Sequence, residues 1–206
     1  VSMTVYAGDN DDFLLSARDG GGHQYNQRAI NPPQAASAAT VNLDTTTNNS
    51  ASIWCCPSLP DYAYGLPVWD PVNHQWLVGY CYYGGVTNWI NSAGTGFGYS
   101  PLKLAQSHGS WVMATDCINH YISGGGDSFG IGSQNGVPHV RIGTKHPDGA
   151  NELLVDGSVS WVRAEDTYEL TEFLASYEHD FFYQEELPPF LTKFSLPKLA
   201  WSFQIK

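Results

Sequence analysis

Basic residues are scarce in this chain. Nine Lys and Arg stand against twenty Asp and Glu, giving a net charge of −11 at pH 7. Such a charge repels nucleic-acid phosphate and anionic lipid alike, so neither is expected as a partner. Long apolar runs are also lacking: no stretch approaches the ~18 residues that a membrane-spanning helix needs. Only 14% of the 206 residues are charged while 42% are hydrophobic, which excludes a disordered chain and supplies a sizeable core. Nothing in the composition demands a second domain, and residues 1–206 are read as one globular domain. The catalytic signatures are missing as well. There is no His-Glu-x-x-His, no Gly-x-Ser-x-Gly elbow, and the glycines between 124 and 136 lack the Gly-Lys-Ser/Thr ending of a phosphate loop. Those glycines read as a mobile loop. Cys55, Cys56, Cys81 and Cys117 show no Cys-x-x-Cys spacing for zinc. All four are disulfide candidates, and their connectivity is open. The adjacent Cys55 and Cys56 point to opposite sides of an extended chain and are poor partners for each other.

The most informative stretch is residues 146–162, HPDGANELLVDGSVSWV. Asp156-Gly157 is the dipeptide that suits a two-residue type I′ turn, with both central residues at positive φ. That turn sets residue 154 opposite 159 and 152 opposite 161, and it predicts Leu154, Val159 and Trp161 on a core face. Pro147-Asp148-Gly149 is a second turn, with His146 at its entrance.

Around this hairpin the reading is coarser. Residues 1–7 have the spacing of a helix end, with Gly8 as the stop. Residues 16–52 are polar and broken by Pro32-Pro33, and they predict long surface loops with one short strand. Residues 52–54 predict a short strand stopped by Pro57, and 76–82 the best strand of an aromatic region. Ser100-Pro101 predicts a helix start, with Ser100 as N-cap. Residues 111–115 and 137–142 read as strands. Asp166 with Glu169 suggests a capping pair, and Leu170, Phe173, Leu174, Tyr177 and Phe181 recur at helical spacing. The acids between Glu165 and Glu186 then read as the solvated face of that helix. After Pro188-Pro189, residues 190–205 are an apolar tail suited to an edge strand. The predicted class is α+β: an N-terminal helix on an antiparallel sheet with long loops.

Candidate chemistry is sparse. Asp9, Asp11 and Asp12 invite a calcium reading, but the later glycine and distal glutamate of an EF-hand are missing. A solvated turn is expected instead, and no cofactor. Because these acids follow a helix C-terminus, something local must compensate them. Asp116 and His120 are four apart, yet the approach to Asp116 reads as strand, which weakens them as a pair. His139 and His146 flank Lys145, and they are the histidines able to converge on Asp116 or Asp156 as metal ligands. The preferred reading makes His146, Asp156 and Gly157 architectural, with a ring nitrogen of His146 bonded to turn backbone.

Nine residues separate His146 from Asp156-Gly157. This spacing resembles the prepilin-type processing-associated His-x9-Asp-Gly domain of bacterial type IV pilin-like proteins and type II secretion pseudopilins. Three further pieces fall in that family's order: Tyr6-Ala7-Gly8-Asp9-Asn10-Asp11-Asp12, Cys56-Pro57-Ser58, and Val112-Met113-Ala114-Thr115-Asp116. The resemblance implies a non-catalytic structural subunit of a cell-envelope filament or secretion system. It implies a periplasmic or extracellular head, anchored in the membrane before assembly by an apolar N-terminal helix that is cleaved at a prepilin site. That helix would also contact the other pilin-like subunits. Val1 falls where the helix's last turns are expected, so the chain reads as a head without it. Export implies at least one disulfide, and the family's helix often carries a Cys able to pair with the one at Cys56. Two other classes stay open. A secreted carbohydrate-binding module would use aromatics around Trp69, Trp76 and Trp89. A metal-dependent hydrolase would use His139, His146 and Asp156.

Overall fold

The computed structural model describes residues 2–19, 25–45, 49–50, 52–58, 66–86, 100–123, 126–129, 138–173 and 178–182. The chain opens on helix α1, Ser2–Asp9, which runs through Gly8 and buries Tyr6 and Ala7. It leaves the helix through two left-handed residues, Asp11 (φ 53°) and Asp12 (φ 69°). The Asp12 amide closes on the Ala7 carbonyl at 2.8 Å, and its carboxylate accepts the Ala105 amide at 3.0 Å. That amide belongs to a 3-10 turn, Leu104–Gln106, which offers an acid beyond the helix C-terminus local compensation.

The described residues between 16 and 52 hold more secondary structure than their polarity suggests. They hold strands β1 (Ala17–Asp19) and β2 (Tyr25–Ile30), helix α2 (Ala38–Val41), and a ribbon of β3 (Leu43–Asp44) with β4 (Asn49–Ser50). Ala29, Ile30, Val41 and Leu43 are fully buried. Short apolar residues, one or two at a time, suffice here because each faces a core supplied by other segments. Residues 52–54, expected as a strand, form a 3-10 turn.

The strand expected over 76–82 is two strands in two sheets. After β5 (Val68–Asp70), β6 (Gln75–Leu77) joins the sheet ordered β1-β2-β6-β5, and β7 (Tyr80–Tyr82) joins another. Gly79 is the crossing point: its amide donates to Trp54, and a Cβ there would lie 2.7 Å from the Cys55 sulfur. A second crossing follows. Strand β8 (Val112–Asp116) pairs with β7, and two residues later β9 (Asn119–Ser123) enters a third sheet with β10 (Gly126–Phe129).

Strands β11 (Gly149–Leu154) and β12 (Val159–Arg163) form the expected hairpin and complete the sheet β12-β11-β8-β7. The register differs by one from the expectation: Leu153 faces Val159, Glu152 faces Ser160 and Asn151 faces Trp161. The reason lies in the turn. Gly157 has φ +86°, but Asp156 keeps negative φ, and the Leu154 carbonyl accepts the Gly157 amide at 3.0 Å. This is a type I turn followed by a left-handed glycine, a loop one residue longer than type I′. Val159 and Trp161 are 62% and 47% exposed, so these two of the three predicted core residues are outside, while Leu154 packs partly buried against the core.

Among the described residues no helix follows Asp166, and Leu174 and Tyr177 of the expected stripe lie outside them. A 3-10 turn, Ala164–Asp166, leads instead into an antiparallel hairpin of β13 (Tyr168–Phe173) and β14 (Glu178–Phe182), giving the sheet β10-β9-β14-β13. A register shift between Glu169 and Thr171 explains the misreading. A bulge breaks the period of two, and apolar residues on either side then mimic a helical spacing. Ser100 is no helix cap; its hydroxyl donates to the Tyr83 carbonyl, and the turn begins later. The predicted strand over 137–142 is reduced, among its described residues, to one bridge, Val140 with Pro147. Residues 190–205 and most of the glycine-rich stretch lie outside the described residues.

Mixed helix and antiparallel sheet make the fold α+β. One cluster of buried side chains runs from Tyr6 to Tyr168, with Trp76, Tyr82 and Tyr83 as its largest fully buried members. Tyr82 meets Trp54 edge-on at 6.0 Å, and its hydroxyl donates to the Leu15 carbonyl at 2.7 Å.

Candidate functional site

Asp116 is the last residue of β8, at the point where the chain passes from one sheet to the next. Its side chain is 2% exposed, and a carboxylate so placed must be met by donors. Oδ2 accepts the Asn151 main-chain amide at 2.8 Å and the Asn151 side-chain amide at 2.8 Å. The third neighbour is His139, whose Nε2 lies 2.9 Å from the same oxygen. Cys56 completes the group, with Sγ 3.7 Å from His139 Nε2.

Local structure explains why these groups meet. Cys55 forms a parallel bridge with Gly79 and faces it with its sulfur, and the next residue turns its sulfur the other way, toward His139. His139 stands at the base of a closed loop. Its carbonyl accepts the Asp148 amide at 2.8 Å, Arg141 N–H donates to the His146 carbonyl at 2.9 Å, and Arg141 pairs with Asp148 at 3.3 Å. Trp161, outside on β12, meets the His139 ring edge-on at 5.1 Å. The loop therefore aims His139 inward from a position only partly covered.

The group sits in the wall of a cavity of about 490 Å3, lined largely by apolar and aromatic side chains including Met3, Trp54, Tyr80, Met113 and Leu153, with Ser2, Ser58 and Thr115 among them. Burial, and then the neighbouring Asp116, push the Cys56 thiol up to about 11. An activated cysteine nucleophile needs the reverse, a stabilised thiolate. One nitrogen of His139 also serves both Cys56 and Asp116, whereas a nucleophile's base needs one nitrogen for each. As a set of sulfur, imidazole and carboxylate ligands the group is well formed.

Of the residues singled out in the sequence, Asp116 and His139 come together. His146 is exposed and ties its loop through the main chain, its amide donating to Thr144 Oγ1 at 3.1 Å. Asp156 caps its own turn, its Oδ1 accepting from the amide and hydroxyl of Ser158 at 2.8 and 2.6 Å, and these bonds hold its carboxyl below the usual range. Neither belongs to the Cys56 group. His120 lies in β9, beyond the crossing, and shares no helix face with Asp116. Cys56, a disulfide candidate in the sequence and part of the Cys-Pro-Ser piece, joins Asp116 and His139 here. Cys81 and Cys117 are buried with their sulfurs 3.3 Å apart. No spacing rule flags Cys56, Asn151 or Trp161 as one site; the Cys-Pro-Ser piece was the sole signal. Trp76 is fully buried against half-buried Trp69, with ring centroids 5.7 Å apart, so it is closed to a sugar. Trp89 lies outside the described residues.

Compared with family models, curated proteins and solved structures, the chain matches none.

Proposed function

We propose that this chain is the head of a pilin-like structural subunit, without catalytic activity, acting in a cell-envelope filament or type II secretion-like assembly. The observation that carries the reading is spatial. Two of the pieces that gave the sequence resemblance line one cavity, Cys56 to Ser58 and Met113 to Asp116 of β8, and so do Asn151 and Leu153 from the nine residues between His146 and Asp156. Residues far apart in the chain but shared in order with a family are expected to meet when they serve one architecture. The burial of Cys56 supports a structural part for it. Other pilin-like subunits are then the partners, and contact with the membrane would come through an apolar helix ahead of α1.

The test is the mature N-terminus of the native protein, read by mass spectrometry from its own host. Cleavage after a short basic leader, leaving an apolar helix with a methylated first residue, is the expected result. Cleavage at a conventional signal-peptide site, or none, would overturn the proposal. One observation favours a second reading, a carbohydrate-binding module: Trp161 is 47% exposed beside the cavity-lining Val159. A glycan array with wild type and Trp161→Ala addresses it directly.

A further inference from the structure

We infer that Cys56, Asp116 and His139 form a binding site for a divalent transition metal of the zinc class, open at one position toward the cavity. The inference is independent of the assembly reading. It begins with convergence: one ligand atom from each residue lies within 4.8 Å of the other two. The residues come from a 3-10 turn's exit, a strand end and a loop base, so no local motif forces them together.

Two of the three ligand edges can be set against those of a tetrahedral ion. With metal–sulfur near ~2.3 Å and metal–nitrogen and metal–oxygen near ~2.0–2.1 Å, the sulfur–nitrogen edge of a tetrahedron is about 3.6 Å and the nitrogen–oxygen edge about 3.3 Å. The observed edges are 3.7 Å from Cys56 Sγ to His139 Nε2 and 2.9 Å from that nitrogen to Asp116 Oδ2. The first fits as it stands. The second needs an opening of a few tenths of an ångström, as expected when a direct hydrogen bond gives way to two metal bonds.

The surroundings are those of an oriented ligand set. Asn151 fixes the Asp116 carboxylate with two bonds, and Trp161 and the Asp148 amide fix the ring and carbonyl of His139. Such outer partners hold ligands in register for an ion. Thiolate with imidazole and one carboxylate selects a borderline-soft metal, whereas calcium would ask for oxygen ligands throughout. Three protein ligands leave a fourth position, and the cavity beside them gives it to water or a small ligand. The bound ion would tie three remote segments together.

The experiment uses the whole chain, stripped with a chelator and reloaded with zinc or cobalt(II). Wild type is expected to retain one zinc per chain by elemental analysis. Its cobalt form should show strong tetrahedral visible bands with a sulfur-to-cobalt charge-transfer band in the near ultraviolet. Cys56→Ser is expected to abolish the charge-transfer band, and His139→Gln to weaken metal affinity by at least about tenfold, the loss that even outer partners cause. Cys55→Ser and His146→Ala should keep one equivalent and the full spectrum. Circular dichroism of each stripped variant checks its fold, and the wild-type cobalt spectrum decides independently of any variant. Substoichiometric metal, a weak octahedral cobalt spectrum without charge transfer, or unchanged uptake in folded Cys56→Ser and His139→Gln each overturns the inference.

Discussion

Gly157 shows how one residue can fix a turn for purely conformational reasons. Its φ of +86° is left-handed, and a Cβ built there meets no atom within 4 Å, so a substitution is resisted by the backbone and not by crowding. Gly157→Val is expected to cost about 1–3 kcal/mol in chemical denaturation, while Gly157→Asn, which tolerates the left-handed region, should cost clearly less. Equal losses in the two variants would place the cause elsewhere. Asp156 and Asp70 act on the same scale through charge. Asp70 accepts from the Val72 and Asn73 amides and from the Asn73 and Gln75 side chains, and Asp156 accepts from Ser158, so both carboxyls are held below the usual range. A depressed folded pKa adds stability that is fully present above the unfolded value, near ~3.9, and is lost as pH falls through the folded one. The melting temperature should therefore be insensitive to these groups at neutral pH and fall below about pH 4. The Asp70→Asn, Asp156→Asn double variant should show a shallower acid limb, and an identical limb would remove both from the account. Cysteine reactivity gives a further check. Cys56, Cys81 and Cys117 are buried, Cys55 is partly open, and burial pushes the Cys55 thiol up. At neutral pH a maleimide is expected to modify Cys55 slowly and alone in the folded chain, and all four on unfolding, as mass spectrometry would count.

At the scale of elements, the hairpin was legible because Asp156-Gly157 marks a reversal whichever turn it makes. Its register was not, because type I′ and the type I turn with a following left-handed glycine share that dipeptide and differ by one residue. The same one-residue slip turned Val159 and Trp161 outward, toward the position that covers His139. In β13 the bulge between Glu169 and Thr171 gave strand residues a helical spacing, and around Gly79 a close contact with Cys55, invisible in sequence, divides one apolar run between two sheets. Asp116 and His139 could be proposed as ligands by residue type. Cys56 joins them only through the parallel bridge that turns Cys55 toward Gly79. Buried Tyr82, on β7, tests how firmly these elements are joined. Its hydroxyl bonds the Leu15 carbonyl at 2.7 Å inside the core, so Tyr82→Phe leaves a carbonyl without that donor, and a loss of about 1–3 kcal/mol is expected in denaturant titration. A neutral substitution would mean that the segment carrying Leu15 is held by other contacts.

For the molecule as a whole, the deficit of basic residues returns as an energetic term. With twenty acids and nine Lys and Arg, most carboxylates cannot find a cation of their own. The ion pairs that do form between described residues and involve arginine, Arg141 with Asp148 and Arg163 with Glu165 and Asp166, are solvent-exposed or nearly so and contribute little each. Salt acts on both contributions. It weakens those pairs slightly, and it screens the repulsion among the remaining acids, which is spread over the surface and opposes the compact state. Raising ionic strength from about 0.01 M to about 0.15 M shortens the screening length from roughly 30 Å to roughly 8 Å, below the spacing of charges across a domain but above that within a pair. Repulsion is therefore screened more than attraction. The melting temperature at pH 7 should rise with sodium chloride over that range and then level off, and the rise should shrink near the isoelectric point of about 4.8, where net repulsion vanishes. A melting temperature that fell with added salt at pH 7 would mean that the exposed pairs outweigh the repulsion and that the acidic surface is better compensated than its composition suggests.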